Sequence, residues 1–311
     1  MPDALSEFGL IAKYFVPLAT HPGALALTDD AAVLEETAGR ELIVTADALT
    51  AGVHFLPDDP PNLIASKALR VNLSDLAAKG AEPVGYLLAL ALPQSVDDAW
   101  LAEFARGLAE DQKAFGVSLL GGDTTATPGP LTIAITALGR APRGAMIRRS
   151  GAKPGDHVFV SGTIGDAGAG LAILQGKTGG DTDAAFLIGR YRQPTPRVSL
   201  GPKLRGIANA SLDVSDGLIA DLGHIAETSG VRIVVEAEAI PRSAALVRFD
   251  PDIVCAATAG DDYEIAFTAS SPVTADLPVT CIGRVEPGQG VVLLDREGRE
   301  IPVIRPGFTH F

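Results

Sequence analysis

Cysteine is nearly absent. The 311-residue chain has two, Cys255 and Cys281, with no C-x-x-C pair and no histidine close by in sequence. This excludes a disulfide framework and a thiolate zinc site, and it fits a reducing cytoplasm. Basic residues are also short: 25 Lys plus Arg stand against 38 Asp plus Glu, a net charge of −13. Nucleic acid and anionic membrane surfaces are thereby excluded as main partners. The longest apolar run, YLLALALP (86–93), falls far short of the roughly 20 residues a bilayer span needs. The opening MPDALSEFGLIAKYF has no basic segment followed by an apolar one, so no signal peptide is expected. No repeat of about 20–50 residues stands out. The expectation is a soluble, cytoplasmic protein without a membrane partner.

What is present suffices for a substantial core. Hydrophobic residues make up 47% and charged residues 20%, a globular composition. At about 100–200 residues per domain, two domains are expected. The segment GRAPRGAMIRRSGAKPGD (139–156), rich in Gly, Pro and Arg, lies between two regions of alternating strand and helix signals. It sets the expected domains at 1–142 and 143–311, both mixed α/β (α+β).

In the first half, ELIVTADAL reads as a buried strand and PNLIASKALRVNLSDLAAKG as a helix with Leu69, Leu73, Leu76 and Ala77 on one face and Gly80 just past its end. GYLLALALP reads as a strand buried on both faces. DDAWLAEFARGLAEDQKAFG reads as a helix capped by Asp97 or Asp98, and VSLLGGD and LTIAITALG as two more strands. The second half predicts a strand at DHVFVSG and a helix over about 166–175 capped by Asp166. Helices are expected near 184–192, 197–208 and 217–229, and strands at 231–236, 264–268, 279–282 and 291–294.

The stretch GAGLAILQGKTGG (168–180) imitates a phosphate loop, G-x-x-x-x-G-K-[ST]. Counting back from Gly176 puts Leu171 where the first glycine belongs. The apolar run also precedes Gly-Lys-Thr instead of following it, so Gly176 reads as a helix end.

The phosphate chemistry is sought among acids set beside small and apolar residues: Asp29 and Asp30, Asp47, Asp75, Asp123 after Gly121-Gly122, Asp213 and Asp216, Asp261 and Asp262. Carboxylates among Ala, Leu and Val are costly to desolvate without partners. Too few basic residues lie nearby to pair them all. Mg²⁺ suits oxygen ligands and substrate phosphates together. Singly, Asp213 or Asp216 reads as a helix cap and Asp123 as a turn residue. Asp75 is harder to explain inside an apolar helix. Gly-Gly before Asp123 permits close approach to a phosphate, the helix opening at Gly217 after Ser215 offers N–H groups to an anion, and Arg148-Arg149 offers a phosphate clamp.

These segments, TDDAA, TADAL followed by GVHF, KALRVNLSDLAAKGAEP, GGDTT, RSGAKPGD, GDAGAGLAIL, LDVSDGLIADLGHI and GDDYE, together resemble the thiamine-monophosphate kinase family over nearly the whole chain, in order. That family shares a superfamily with aminoimidazole ribonucleotide synthetase, selenophosphate synthetase and a hydrogenase maturation protein, and lacks a Walker loop. The resemblance implies an N-terminal domain that binds metal and ATP and forms a dimer-spanning β-barrel with a second subunit. It implies a C-terminal sandwich-like α/β domain that completes a cleft for nucleotide and substrate.

Carried over position by position, the implied Mg²⁺ ligands are Asp30, Thr45, the main-chain oxygen of Ala46, Asp47, Asp75, Asp123, Asp213 and Asp216. Gly122, Asp123, Arg149 and Ser215 are implied for ATP, and His54, Asp261 and Phe308 for thiamine monophosphate. His21, His157, His224 and His310 are taken as structural. Three positions depart from the family pattern: Thr28 stands where glycine is usual, Ala46 where threonine is common, and Asp261 where glutamate is usual.

The implied reaction is ATP plus thiamine monophosphate giving ADP and thiamine diphosphate, the last step of thiamine diphosphate synthesis, by direct in-line transfer in a homodimer. The acceptor phosphate has a second pKa of about 6, so its oxygen is already mostly anionic at neutral pH. No general base is assigned. Selenophosphate synthetase would require a reactive Cys in an N-terminal glycine-rich loop, and the hydrogenase protein a C-terminal Cys where this sequence has Phe311. A non-catalytic Mg²⁺- or nucleotide-binding regulator is the rival of a different class.

Overall fold

The computed structural model describes residues 7–28, 31–178, 181–271, 273 and 276–309. Two compact units divide the chain: Met1–Leu76 with Glu82–Gly144, and Ala77–Ala81 with Ala145–Phe311.

In the first unit a short helix α1 (Glu7–Leu10) precedes β1 (Arg40–Thr50), α2 (Pro61–Ala78), β2 (Glu82–Leu92), α3 (Asp98–Phe115), β3 (Ser118–Ala126) and β4 (Thr132–Pro142). The four strands form one mixed sheet in the order β1-β4-β2-β3, with only β2 and β3 parallel. Leu69, Leu73, Leu76 and Ala77 are all buried, as their spacing on α2 predicts. On α3 the carboxylate of Asp97 accepts the N–H of Trp100 at 2.8 Å, and Gly116 closes the helix in the left-handed region, where a residue without Cβ is unstrained.

Alternation along the strands separates two faces. Ile43, Leu49, Leu88, Leu90, Ile133 and Ile135 are buried. Leu42, Val44, Ala46, Ala48, Leu87 and Ala89 are exposed. β2 is therefore buried on one face only, against the expectation of a strand covered on both. Its unbroken Ala/Leu run hides the period of two.

The second unit holds β5 (His157–Ser161), α4 (Asp166–Leu174), α5 (Asp181–Arg192), α6 (Gly201–Leu204), β6 (Ala210–Asp213), α7 (Leu218–Ser229), β7 (Arg232–Glu236), α8 (Ala244–Phe249), α9 (Ile253–Thr258), β8 (Ile265–Ala269), β9 (Val279–Glu286), β10 (Gly290–Leu294) and β11 (Glu300–Ile301). These strands form a mixed sheet in the order β11-β10-β7-β9-β5-β8-β6. Its core gathers Val158, Val160, Leu212, Leu222, Ile225, Ile233 and Ile282.

Two local expectations are corrected here, and a third is borne out. The helix expected over 197–208 shrinks to the four residues of α6. Arg205 leaves it extended, and Gly206 adopts φ +77°. Asp166 does not cap α4, because Gly165 holds the cap position. Asp166 instead lies in the first turn, where its buried carboxylate accepts the hydroxyls of Thr163 at 2.6 Å and Ser243 at 2.5 Å. Gly176 follows α4 with φ +96°, and its N–H bonds the carbonyl of Ile173 at 2.9 Å. Gly-Lys-Thr therefore ends a helix. Among the described residues no helix is long and apolar enough to cross a membrane.

Candidate active site

In the first unit the sheet and α2 bring three of the expected ligands together. Thr45 and Asp47, two apart on β1, share the face toward α2. The hydroxyl of Thr45 donates to Oδ2 of Asp75 at 2.6 Å, and Oδ1 of Asn72, one turn earlier on α2, accepts the main-chain N–H of Asp47 at 3.2 Å. This accounts for an aspartate in an apolar helix: Asp75 reaches polar atoms on the adjacent strand. Burial, and then the charge of Asp75, push the Asp47 carboxyl up to about 6. Two carboxylates and a hydroxyl are hard oxygen donors, and a divalent cation between them would relieve the repulsion that raises Asp47. The donor set fits Mg²⁺. Ala46 points to the opposite, exposed face, so only its main-chain oxygen is available for such a role.

Asp123 lies elsewhere on the same sheet. Its row runs Ala48–Ala134–Ala89–Asp123, whereas Asp47 stands in the row Asp47–Ile135–Leu88–Gly122. Asp47 and Asp123 thus occupy opposite edge strands and opposite faces, separated by three strand spacings, about 14 Å. Asp123 lies within β3 and is not a turn residue. It is exposed, and its Oδ1 accepts the N–H of Thr124 at 2.9 Å. Gly122 has φ +157°, and a Cβ there would overlap the carbonyl oxygen of Leu88. Glycine is required at this position by the sheet itself. Beside Gly122 and Asp123 opens a groove of about 720 Å³, lined also by Ile11, Phe15, Leu27, Leu87 and Leu138. Sequence reasoning missed this groove.

His54 sits in the turn after β1, where its Nδ1 accepts the N–H of Thr50 at 3.0 Å. That bond fixes the tautomer and leaves Nε2–H as the donor. Asp30 lies outside the described residues.

In the second unit β6 ends at Asp213, and the chain turns through Ser215, Asp216 and Gly217 into α7. Asp213 and Asp216 do not cap that helix. The N-cap is Gly217, and the acceptor is Asp221 from the first turn of α7. Its Oδ2 takes the N–H groups of Ser215 and Asp216 at 3.0 Å and of Gly217 at 3.1 Å. The helix opening therefore does not offer these three N–H groups to an anion, a correction to the sequence reading. Burial is the first cause, and the charge of Asp216 the second, of an Asp221 carboxyl pushed up to about 7.

Two other expected residues meet the same turn. The N–H of Asp261 bonds the carbonyl of Ser215 at 2.8 Å, and the N–H of Phe308 bonds that of Asp216 at 2.9 Å. Asp261 and Tyr263 both have left-handed backbones, φ +68° and +50°, uncommon outside glycine. Between them Asp262 is fully buried. Its carboxylate accepts the N–H of Gly165 at 2.6 Å, and burial raises its pKa well above the ordinary 3.8. Glu264, equally buried, takes Arg190 at 2.9 Å, Ser161 at 2.5 Å and Arg197. Arg149 is exposed, and the carbonyl of its neighbour Arg148 accepts the N–H of Ser211 at 2.8 Å. Among the described residues no group of three His, Cys, Asp or Glu side chains stands close enough to hold a metal by itself.

Residues 28–141 match the family of AIR synthase related proteins by its N-terminal domain, and residues 153–300 by its C-terminal domain. The thiamine-monophosphate kinase of Caulobacter vibrioides is 47% identical, covering 98% of this chain and 91% of that protein. The chain belongs to the thiamine-monophosphate kinase family. Two solved structures extend the likeness to the fold. Thiamine-monophosphate kinase from Stenotrophomonas maltophilia K279a superposes with a TM-score of 0.81 at 43% identity, covering 88% of this chain and 91% of that one. AaThiL complexed with AMPPCP and TMP also gives a TM-score of 0.81, at 33% identity, covering 99% and 97%.

Proposed function

We propose that this chain transfers the γ-phosphoryl group of ATP to thiamine monophosphate, giving ADP and thiamine diphosphate by direct in-line displacement. The observation that carries the reading is the match along nearly the full length of both chains to a kinase of that name. The oxygen cluster of Thr45, Asp47 and Asp75 agrees with it.

In this reading Asp30, Thr45, the main-chain oxygen of Ala46, Asp47, Asp75, Asp123, Asp213 and Asp216 hold Mg²⁺. Bound Mg²⁺ neutralises charge between a triphosphate and an anionic acceptor. Gly122 lets the β3 edge approach the nucleotide phosphates closely, and Asp123 serves there too. Arg149 supplies charge to the phosphates. Ser215 contributes through its hydroxyl, because its N–H is taken by Asp221. His54 donates from Nε2, Asp261 accepts, and Phe308 packs against a ring of thiamine monophosphate. No side chain removes a proton from the acceptor, which is anionic at neutral pH.

The position of Asp123 bears on assembly. In this reading the site that uses both Asp47 and Asp123 is shared by two chains, with the β1 edge of one subunit beside the β3 edge of the other. The exposed apolar face carrying Leu42, Val44, Ala46, Ala48, Leu87 and Ala89 is what a second copy would cover. Two four-stranded sheets joined in this way close an eight-stranded barrel, which leaves no free strand edge. Residues 1–142 then carry dimerisation and most of the metal ligands, and 143–311 supply the remaining contacts of a cytoplasmic enzyme.

Incubation with ATP, Mg²⁺ and thiamine monophosphate, followed by product separation, tests the reading. Thiamine diphosphate is the expected product, with no phosphorylation of thiamine offered in parallel. Turnover of thiamine alone would contradict it.

A further inference from the structure

The turn Ser215–Gly217 is polarised. Its N–H groups all point to one buried carboxylate, Asp221, 3% exposed, at 3.0 to 3.1 Å. Two of its carbonyls hold other segments, while that of Gly217 accepts the N–H of Asp221 at 2.9 Å as α7 begins. Ser215 receives Asp261 and Asp216 receives Phe308, while Tyr263 bonds the carbonyl of Val214 just upstream at 2.8 Å. The tail is tied a second time, where the N–H of Ala220 bonds the carbonyl of Pro306 at 3.1 Å. Gly307 passes so close that a Cβ there would overlap the carbonyl oxygen of Asp216. Asp261 and Tyr263 keep left-handed backbones, which persist only where their surroundings impose them.

We propose that Asp221 is a positioning residue for the phosphoryl transfer. Its carboxylate fixes the turn, and the turn fixes where Asp261 and Phe308 meet the acceptor. The inference rests on the kinase reading, which assigns those two residues to thiamine monophosphate. Asp221 touches neither substrate. It acts by holding three N–H groups that would otherwise seek solvent or an anion, so that the carbonyls stay aimed at the two substrate segments. A neutral side chain without an acceptor would release the turn, and both segments with it.

Three variants of the full chain test this, each measured for melting temperature and for KM toward thiamine monophosphate and ATP. Asp221→Ala is expected to raise KM for thiamine monophosphate on the order of tenfold, the size of effect that small misplacements produce. Asp221→Asn keeps one oxygen facing the N–H groups and is expected to recover to within about threefold of wild type. Gly307→Ala pushes the tail off Asp216 and leaves Asp221 intact. It is expected to raise KM for thiamine monophosphate on the order of tenfold with KM for ATP within about twofold. A merely structural role predicts a lower melting temperature and less active enzyme with unmoved KM values, and that result would overturn the proposal. If Asp221→Ala does not fold, Gly307→Ala decides, and a wild-type KM in that variant overturns it. An inactive wild type overturns the kinase reading and this inference together, whereas an active wild type with unmoved variants overturns this inference alone.

Discussion

Asp47 and Asp123 stand on opposite edges and opposite faces of one four-stranded sheet, in adjacent rows of its register. Asp47 faces α2 and lies beside Asp75. Asp123 faces the open, apolar side. The proposed reading, which assigns both residues to one site, draws them from two chains.

The bond from Thr45 to Asp75, 2.6 Å long, orients the carboxylate that faces Asp47. Thr45→Val keeps the side-chain shape and deletes the hydroxyl. The Mg²⁺ concentration at half-maximal rate is expected to rise on the order of tenfold, as when ligand-orienting contacts are lost. An unchanged Mg²⁺ titration would remove Thr45 from the site.

Gly122 has no room for a Cβ beside the Leu88 carbonyl and carries φ +157°. Gly122→Ala is expected to destabilise the fold by roughly 2–4 kcal/mol through overlap and backbone strain. Urea unfolding checks this, and a change under about 0.5 kcal/mol, typical of a neutral surface site, would contradict it.

Asp262 supplies a pH dependence. Its folded-state pKa is raised well above 3.8, first by burial. Its stabilising contribution is therefore complete below about pH 4 and is lost as pH rises through the folded value. Asp262→Asn keeps an oxygen for the N–H of Gly165 and cannot ionise. Wild-type stability is expected to fall relative to this variant as pH rises from about 4 to 8, measured by urea unfolding. A constant difference across that range would contradict the assignment.

Local signals were legible in the sequence. Side-chain chemistry within one turn narrowed the cap of α3 to Asp97 or Asp98, and Asp97 holds it. The rejection of Gly176-Lys177-Thr178 as a phosphate loop needed only the order of elements. Asp47 and Asp75 stood out as acids among apolar residues, but Thr45 entered only through the family resemblance, since residues 30 apart are joined by packing of α2 on β1. What escaped depended on three dimensions. Asp221 reads as one more acid on an amphipathic helix, and nothing local says that it reaches back to three N–H groups. The Ala/Leu run of β2 looks the same whether its outer face meets its own core or another chain, because both environments select the same side chains. The helix expected over 197–208 failed because its apolar spacing is interrupted at Arg205 and Gly206, where the backbone leaves the helical region.

The most direct test of a site shared between two chains uses Asp47→Asn and Asp123→Asn. Each homodimer is expected to fold normally and lose activity by on the order of a hundredfold or more. Coexpressed in equal amounts, they form heterodimers in which one site carries both substitutions and the other carries neither. Random pairing then restores about a quarter of wild-type activity. A mixture as inactive as either parent would mean that Asp47 and Asp123 serve the same subunit, or no common site, and the two-chain account would be wrong.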